Sequence, residues 1–164
     1  MSILVTGGAG YIGSHTVLEL IEAGYNVIVY DNLSNSSKLS LERVSRLTGK
    51  KIPFIDGDIR DENKLNSLFE SNMIDAVIHF AGLKSVGESV DRPLFYYNNN
   101  VLGSLQLFKV MQNFNVKKLV FSSSATVYGE PISVPLSESM PVGKPTNPYG
   151  MSKLMIENII SDLC

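Results

Sequence analysis

Gly7-Gly8-Ala9-Gly10-Tyr11-Ile12-Gly13 is the stretch on which the fold turns. It follows directly on an apolar run, Ile3 to Thr6, and opens onto a helical pattern over Gly10 to Ala23, with a second apolar run at Asn26 to Tyr30. Strand, glycine turn, helix and strand make one βαβ unit. Glycines at 7, 10 and 13 keep a GxxGxxG spacing, which differs from GxGxxG but serves the same physics. Absent side chains permit a tight turn, let a pyrophosphate approach the backbone and bring helix against strand, while the helix N-terminus supplies N–H groups and positive dipole. Glycines alone could merely form a turn; set between strand and helix, they favour a dinucleotide loop.

The alternation continues outward. Further strands are predicted at Ile52 to Asp56, Ala76 to Phe80 and Lys118 to Ser122, each rich in Val, Ile, Leu or Phe, with helices over Leu39 to Leu47, Glu62 to Ser71 and Leu94 to Asn113. This pattern predicts an α/β fold, a Rossmann-like doubly wound parallel sheet with helices on both faces. A last helix is predicted from Pro148, capped by Asn147 or Thr146, its stripe of Met151, Met155, Ile156, Ile159, Ile160 and Leu163 directed at the core. The long connections Ala81 to Pro93 and Ala125 to Asn147 follow strand C-termini, where open α/β sheets bind ligands, and read as functional loops.

The chain has 164 residues, 44% hydrophobic and 18% charged, which suits one globular domain with a real core. A net charge of −2 offers no basic excess for nucleic acid. The single cysteine, Cys164, excludes an internal disulfide and a cysteine metal cluster, reads as an incidental thiol and fits a reducing compartment. The beginning, Met1-Ser2-Ile3-Leu4-Val5, lacks the features of a signal peptide, and no segment reaches the length of a membrane span, so no membrane association and a cytoplasmic location are expected.

Asp31 closes the second strand, eighteen residues past Gly13. A carboxylate there can accept both adenosine ribose hydroxyls but repels a 2′-phosphate, which argues for NAD over NADP; the bland alternative is a solvent-facing strand-end aspartate. Asp58 could receive the adenine amino group, and an Asp58-Ile59-Arg60-Asp61 turn into a helix cap explains it equally well. Phe80-Ala81-Gly82 puts small residues where a cofactor backbone would pass.

Chemistry enters with Tyr149-Gly150-Met151-Ser152-Lys153, a YxxxK spacing that places two side chains on one helix face. An ammonium one turn away favours a phenolate, so Tyr149 is the candidate base for a sugar hydroxyl, and Lys153 can also donate to the nicotinamide ribose. Ser122-Ser123-Ser124 ends the fifth strand, and Ser124 is the chosen hydroxyl to bridge substrate and phenolate. YxxxK alone is often a surface pair, but strand-end serines, a loop and a proline-started helix downstream of a dinucleotide loop make one coherent site. His15 and His79 are separated and read as packing or loop residues; no metal is expected.

Val5 to His15, Asp31 to Ser36, His79 to Lys84, Tyr97 to Asn100, Ser122 to Gly129 and Asn147 to Gly150 together resemble the extended short-chain dehydrogenase/reductase family, over the whole chain. Ala81-Gly82-Leu83-Lys84 with Val86-Gly87-Glu88-Ser89 is more particular to its galactose epimerases. The resemblance implies cofactor contacts by Tyr11, Ile12, Asp31, Asn32, Leu33, Ser34, Asn35, Ser36, Asp58, Ile59, Phe80, Ala81, Gly82, Leu83, Lys84, Asn99 and Lys153, with Ser124 and Tyr149 touching substrate. It implies interconversion of UDP-glucose and UDP-galactose through a 4-keto sugar. Nucleotide-sugar 4,6-dehydratases carry an acidic pair where this chain has Ala125 and Thr126, so dehydration would lack its acid and base. A uronate epimerase or decarboxylase and a non-catalytic NAD-binding module are the alternatives. Family members are longer, so residues 1–164 are expected to be the NAD-binding Rossmann domain with its Tyr/Lys helix, incomplete at the C-terminal sheet edge, and the UDP-sugar-binding portion absent. Homodimerisation through the helices near Leu94 and Pro148 is implied, and a bare fifth-strand edge should promote self-association.

Overall fold

Short runs of Val, Ile and Leu become strands in the computed structural model, which describes residues 1–131 and 133–163; Cys164 lies outside the described residues. These strands are β1 (Ser2–Thr6), β2 (Asn26–Asp31), β3 (Phe54–Asp56), β4 (Ala76–His79) and β5 (Leu119–Phe121). All pair in parallel, in the order β3-β2-β1-β4-β5, and Leu4 of β1 stands opposite Ile28 on one side and Val77 on the other. The winding reverses between β1 and β4, which makes their C-terminal ends the switch point where such sheets bind ligands. The predicted third strand is shorter than expected for a chemical reason. Pro53 lends its carbonyl to the Val29 N–H (2.9 Å) but has no N–H to return, so pairing starts at Phe54.

The chain divides into two compact units, residues 1–82 with 105–122 and residues 83–104 with 123–163. The first holds the sheet. Alternate strand residues point to opposite faces. Ile3, Val5, Val27 and Val29 pack with Val17 and Ile21 of helix α1 (Tyr11–Glu22) and Leu41 and Val44 of α2 (Lys38–Thr48). On the other face, Leu65, Leu68 and Phe69 of α3 (Glu62–Ser71) are buried, and His79 of β4 meets Phe108, which belongs to α6 (Gly103–Asn113). Helices thus cover both faces, as predicted. β5 pairs only with β4 among the described strands, and its Val120 is 60% exposed.

The second unit is helical, with α4 (Val86–Asp91), α5 (Pro93–Tyr96), a π-helical turn over Tyr97–Leu102, a 3₁₀ turn over Ala125–Tyr128 and α7 (Pro148–Leu163). Helix α4 lies inside what the sequence presented as a loop, and the helix predicted from Leu94 widens into the π turn. Asn147 accepts the Gly150 N–H on its side-chain oxygen (2.8 Å), so Asn147 and not Thr146 caps α7. The apolar stripe expected to face the core needs correction. Ile156 is buried at 1% exposure, but Met155 is 40% and Leu163 60% exposed, and the other buried positions of α7 are Gly150, Ser152 and Lys153. That face meets α4, α5, the π turn and the 3₁₀ turn.

Candidate active site

In the first unit the glycine loop is shaped by close approach. Gly7 has φ +70, and a Cβ there would lie 2.5 Å from the Ala81 nitrogen and 2.8 Å from the Phe80 carbonyl carbon. At Gly13 a Cβ would run into the Gly7 carbonyl oxygen and come within 2.8 Å of Gly8 Cα. Side chains at either place would push the loop off β4 or the helix off the loop. Helix α1 opens from Gly10 with no side-chain cap and no acidic residue in its first turn, so its first N–H groups and dipole are left for an anion. Tyr11 and Ile12 beside them are 76% and 56% exposed. These features fit the diphosphate of a dinucleotide.

Asp31 is 7% exposed, so it is not the solvent-facing aspartate of the bland reading. Its Oδ2 accepts the Ala9 N–H (3.0 Å), and its Oδ1 accepts the Leu33 N–H and the Ser36 hydroxyl (both 2.9 Å). The carboxylate therefore ties the glycine loop to the segment after β2, and with about four acceptor positions it keeps capacity for a hydroxyl. Leu33 and Ser36 are half-buried, and Asn32, Ser34 and Asn35 are exposed along the same rim.

Asp58 is occupied locally. Arg60 donates its N–H (2.9 Å) and Nε (2.8 Å) to Oδ1 and Nη2 (2.6 Å) to Oδ2, which also accepts from Asn32 Nδ2 (3.0 Å). The Arg60 hydrogen bonds hold its carboxyl at about 2, against the opposing effect of burial. Asp61 then caps α3 by accepting the Lys64 N–H (3.0 Å). The turn into the helix cap is formed, and each Asp58 oxygen carries two donors within the chain. Ile59 beside it is buried. The Tyr30 hydroxyl donates to the Asp58 carbonyl (2.9 Å), and burial first, then nearby aspartates, keeps that phenol protonated.

His79 is fully buried, 2.6 Å from Thr6 Oγ1 and flanked by Phe108 and Phe121, while His15 packs edge-on against Tyr11. His79 is a packing residue, and His15 lies exposed on α1. No group of three or more His, Cys, Asp or Glu that could hold a metal occurs among the described residues.

The second unit carries the residues singled out for proton chemistry. Ser124 Oγ accepts the Thr126 N–H (3.3 Å) and the Thr126 hydroxyl (2.9 Å), which caps the 3₁₀ turn and leaves its own hydrogen free to donate. A Cβ on Gly150 would lie 3.0 Å from Thr126 Oγ1, so the missing side chain lets the first turn of α7 close on that turn. Tyr149 is half-buried there, and Lys153, one turn on, is only 5% exposed. Burial lowers the Lys153 amine from its ordinary 10.5 to about 8, with Glu157 pulling the other way.

The sequence reading missed two buried polar residues, Asn100 and Ser152 (1% and 0% exposed). Ser152 Oγ donates to the Tyr149 carbonyl (2.7 Å) and accepts from Asn100 Nδ2 (3.1 Å), and Asn99 Nδ2 donates to Asn100 Oδ1 (3.0 Å). The signal for Asn100 was the run Asn98-Asn99-Asn100 inside an apolar helix, where a poor helix former needs a reason to be present. Leu83, Lys84, Asn99, Ser124, Tyr149 and Lys153 thus belong to the second unit, and the other predicted cofactor residues to the first.

Residues 3–164 match the model of the NAD dependent epimerase/dehydratase family. Over 162 residues the chain is 63% identical to UDP-glucose 4-epimerase of Yersinia enterocolitica, covering 99% of this chain and 48% of that protein. For the Dictyostelium discoideum UDP-glucose 4-epimerase the figures are 59%, 99% and 47%. The crystal structure of UDP-glucose 4-epimerase from Bifidobacterium longum in complex with NAD+ and UDP is similar at a TM-score of 0.97 and 55% identity, covering 99% of this chain and 49% of that one. The chain spans about half the length of the curated relatives it matches.

Proposed function

Because the chain belongs to the NAD dependent epimerase/dehydratase family, we propose that it is the cofactor-binding, Tyr/Lys-bearing portion of a UDP-glucose 4-epimerase that interconverts UDP-glucose and UDP-galactose. The uncapped N-terminus of α1 and the loop around Gly7 and Gly13 would hold the dinucleotide diphosphate, and Asp31 a ribose hydroxyl. Bound there, NAD would supply a hydride acceptor and donor for C4 of the sugar, reversible on either face. Tyr149 removes the proton of the sugar 4-hydroxyl as that hydride leaves and gives it back on return, so no net oxidation occurs. Ser124 donates its free hydrogen to the same oxygen. Ala125 and Thr126 provide no carboxylate for eliminating water, and Thr126 is spent on Ser124.

Lys153 is the observation that carries this reading. A lysine kept 5% exposed one turn from a tyrosine forfeits solvation that a surface ion pair would keep, which suits a base-activating partner. The reading includes a cytoplasmic homodimer. Its single cysteine suits a reducing compartment, no helix among the described residues is long and apolar enough to cross a membrane, and Leu94, Leu102 and Met155 (81%, 40% and 40% exposed) leave apolar side chains on the helices that would pair.

The test incubates the chain, and a length-extended version, with NAD and UDP-galactose. UDP-glucose should form with the longer form, and little or none with the 164-residue chain. Tyr149→Phe should abolish that turnover and spare NAD binding. Turnover of UDP-glucuronate alone would replace the substrate with a uronate, and retained turnover in Tyr149→Phe would remove the assigned base.

A further inference from the structure

Lys84 is exposed, and its ammonium enters none of the ion pairs found among the described residues. The backbone on both sides of it is nevertheless held, by side chains rather than by a strand or helix. Before it, Asn100 makes a two-bond pairing with Leu83: Oδ1 accepts the Leu83 N–H (2.8 Å) and Nδ2 donates to the Leu83 carbonyl (2.9 Å). After it, the Tyr96 hydroxyl accepts the Ser85 N–H (3.0 Å) and donates to Glu88 Oε2 (2.8 Å).

Tyr96 and Asn100 are four residues apart, one turn of helix, and 0% and 1% exposed. Burying a phenol and a carboxamide costs their hydration, which is recovered only if their bonds are made. Here three of those bonds go to Leu83 and Ser85, the residues flanking a single exposed lysine. Asn100 also reaches Ser152, whose hydroxyl bonds the Tyr149 carbonyl, so the same side chain ties the Lys84 segment to the first turn of α7. Besides the bond its Oδ1 accepts from neighbouring Asn99, this asparagine spends its side-chain bonds 17 and 52 residues away in the chain.

We infer that Tyr96 and Asn100 are positioning residues: they clamp the backbone on either side of Lys84 so that its ammonium is preset to hydrogen-bond an oxygen of the bound dinucleotide. This rests on the cofactor reading given under Proposed function. Fixing the loop in advance removes ordering that binding would otherwise have to impose.

Two measurements on the 164-residue chain decide it. Tyr96→Phe keeps the ring and its packing and deletes the hydroxyl, while Asn100→Asp keeps the shape and sets an oxygen against the Leu83 carbonyl. In the free chain, hydrogen exchange at the Ser85 amide in Tyr96→Phe and around Leu83 in Asn100→Asp should quicken by about tenfold or more, with far-UV circular dichroism unchanged. NAD affinity, by calorimetry, should fall by about tenfold in each and in Lys84→Met, and Tyr96→Phe combined with Lys84→Met should bind no more weakly than Lys84→Met alone. Losses that multiply in the double variant, or unchanged exchange at both amides, overturn the clamp while leaving the cofactor reading intact. No NAD binding by the unsubstituted chain overturns the cofactor reading and the purpose assigned to Lys84 together. If Asn100→Asp does not fold, the Tyr96→Phe cycle decides alone.

Discussion

Lys153 is the residue at which burial and charge oppose each other most directly. With its amine near 8 in the folded chain and 10.5 when solvated, the unfolded chain holds the proton between those values and the folded chain does not. Stability attributable to this side chain therefore rises as pH goes from about 8 to about 10.5. At about 1.4 kcal/mol per tenfold change in proton affinity, the cost at neutral pH is roughly 3 kcal/mol. Lys153→Met should raise the urea midpoint at pH 7, and its advantage over the unsubstituted chain should shrink by pH 9.5; an advantage independent of pH would mean that the substitution acts through packing instead. The pairing with Tyr149 was legible because four-residue spacing is a local property of a helix. The burial was not, since apolar neighbours such as Met155 suggested another inward face. At Asp58, too, the local turn was legible in the sequence, whereas the donors that fill its oxygens, Arg60 and Asn32, are set by the folded structure.

At the scale of elements, α7 begins where its cap is. Asn147→Ala leaves the Gly150 N–H without its partner and should lower chain stability by about 1 kcal/mol, read as a lower melting temperature, while Asn147→Asp should restore most of it. Equal melting for Asn147→Ala and the unsubstituted chain would show that the cap contributes nothing. Strands and the helices α1 to α3 were readable because their periodicity is their own. Helix α4 was not: Val86 to Asp91 has β-branched residues and a glycine in little more than a turn, too short to stand on propensity. It is held by the Ser85 cap, 3.4 Å from the Glu88 N–H, and by Tyr96 on Glu88. The π turn follows the same pattern, its Asn100 bonded to Leu83 and Ser152 as well as to Asn99 beside it.

Across the whole molecule, the β3-β2-β1-β4-β5 order sets the glycine loop at the switch point of the sheet, and ligand binding there should register in global stability. NAD at about one hundred times its dissociation constant should stabilise the chain by about 2.7 kcal/mol, and the melting temperature should climb with concentration. NADP should do less at equal concentration, because its 2′-phosphate would meet the buried Asp31 carboxylate. No rise with NAD at any concentration would remove the cofactor reading.

By itself the sequence determined the βαβ start, the glycine loop, Asp31 at the strand end and the Tyr149–Lys153 spacing, all relations between residues close in the chain and governed by backbone geometry. Tertiary structure alone decided which face of α7 is buried, how Asp58 spends its oxygens, and why Tyr96, Asn100 and Ser152 are polar. Those outcomes depend on partners in other elements, and burial is a property of what packs against a residue rather than of the residue.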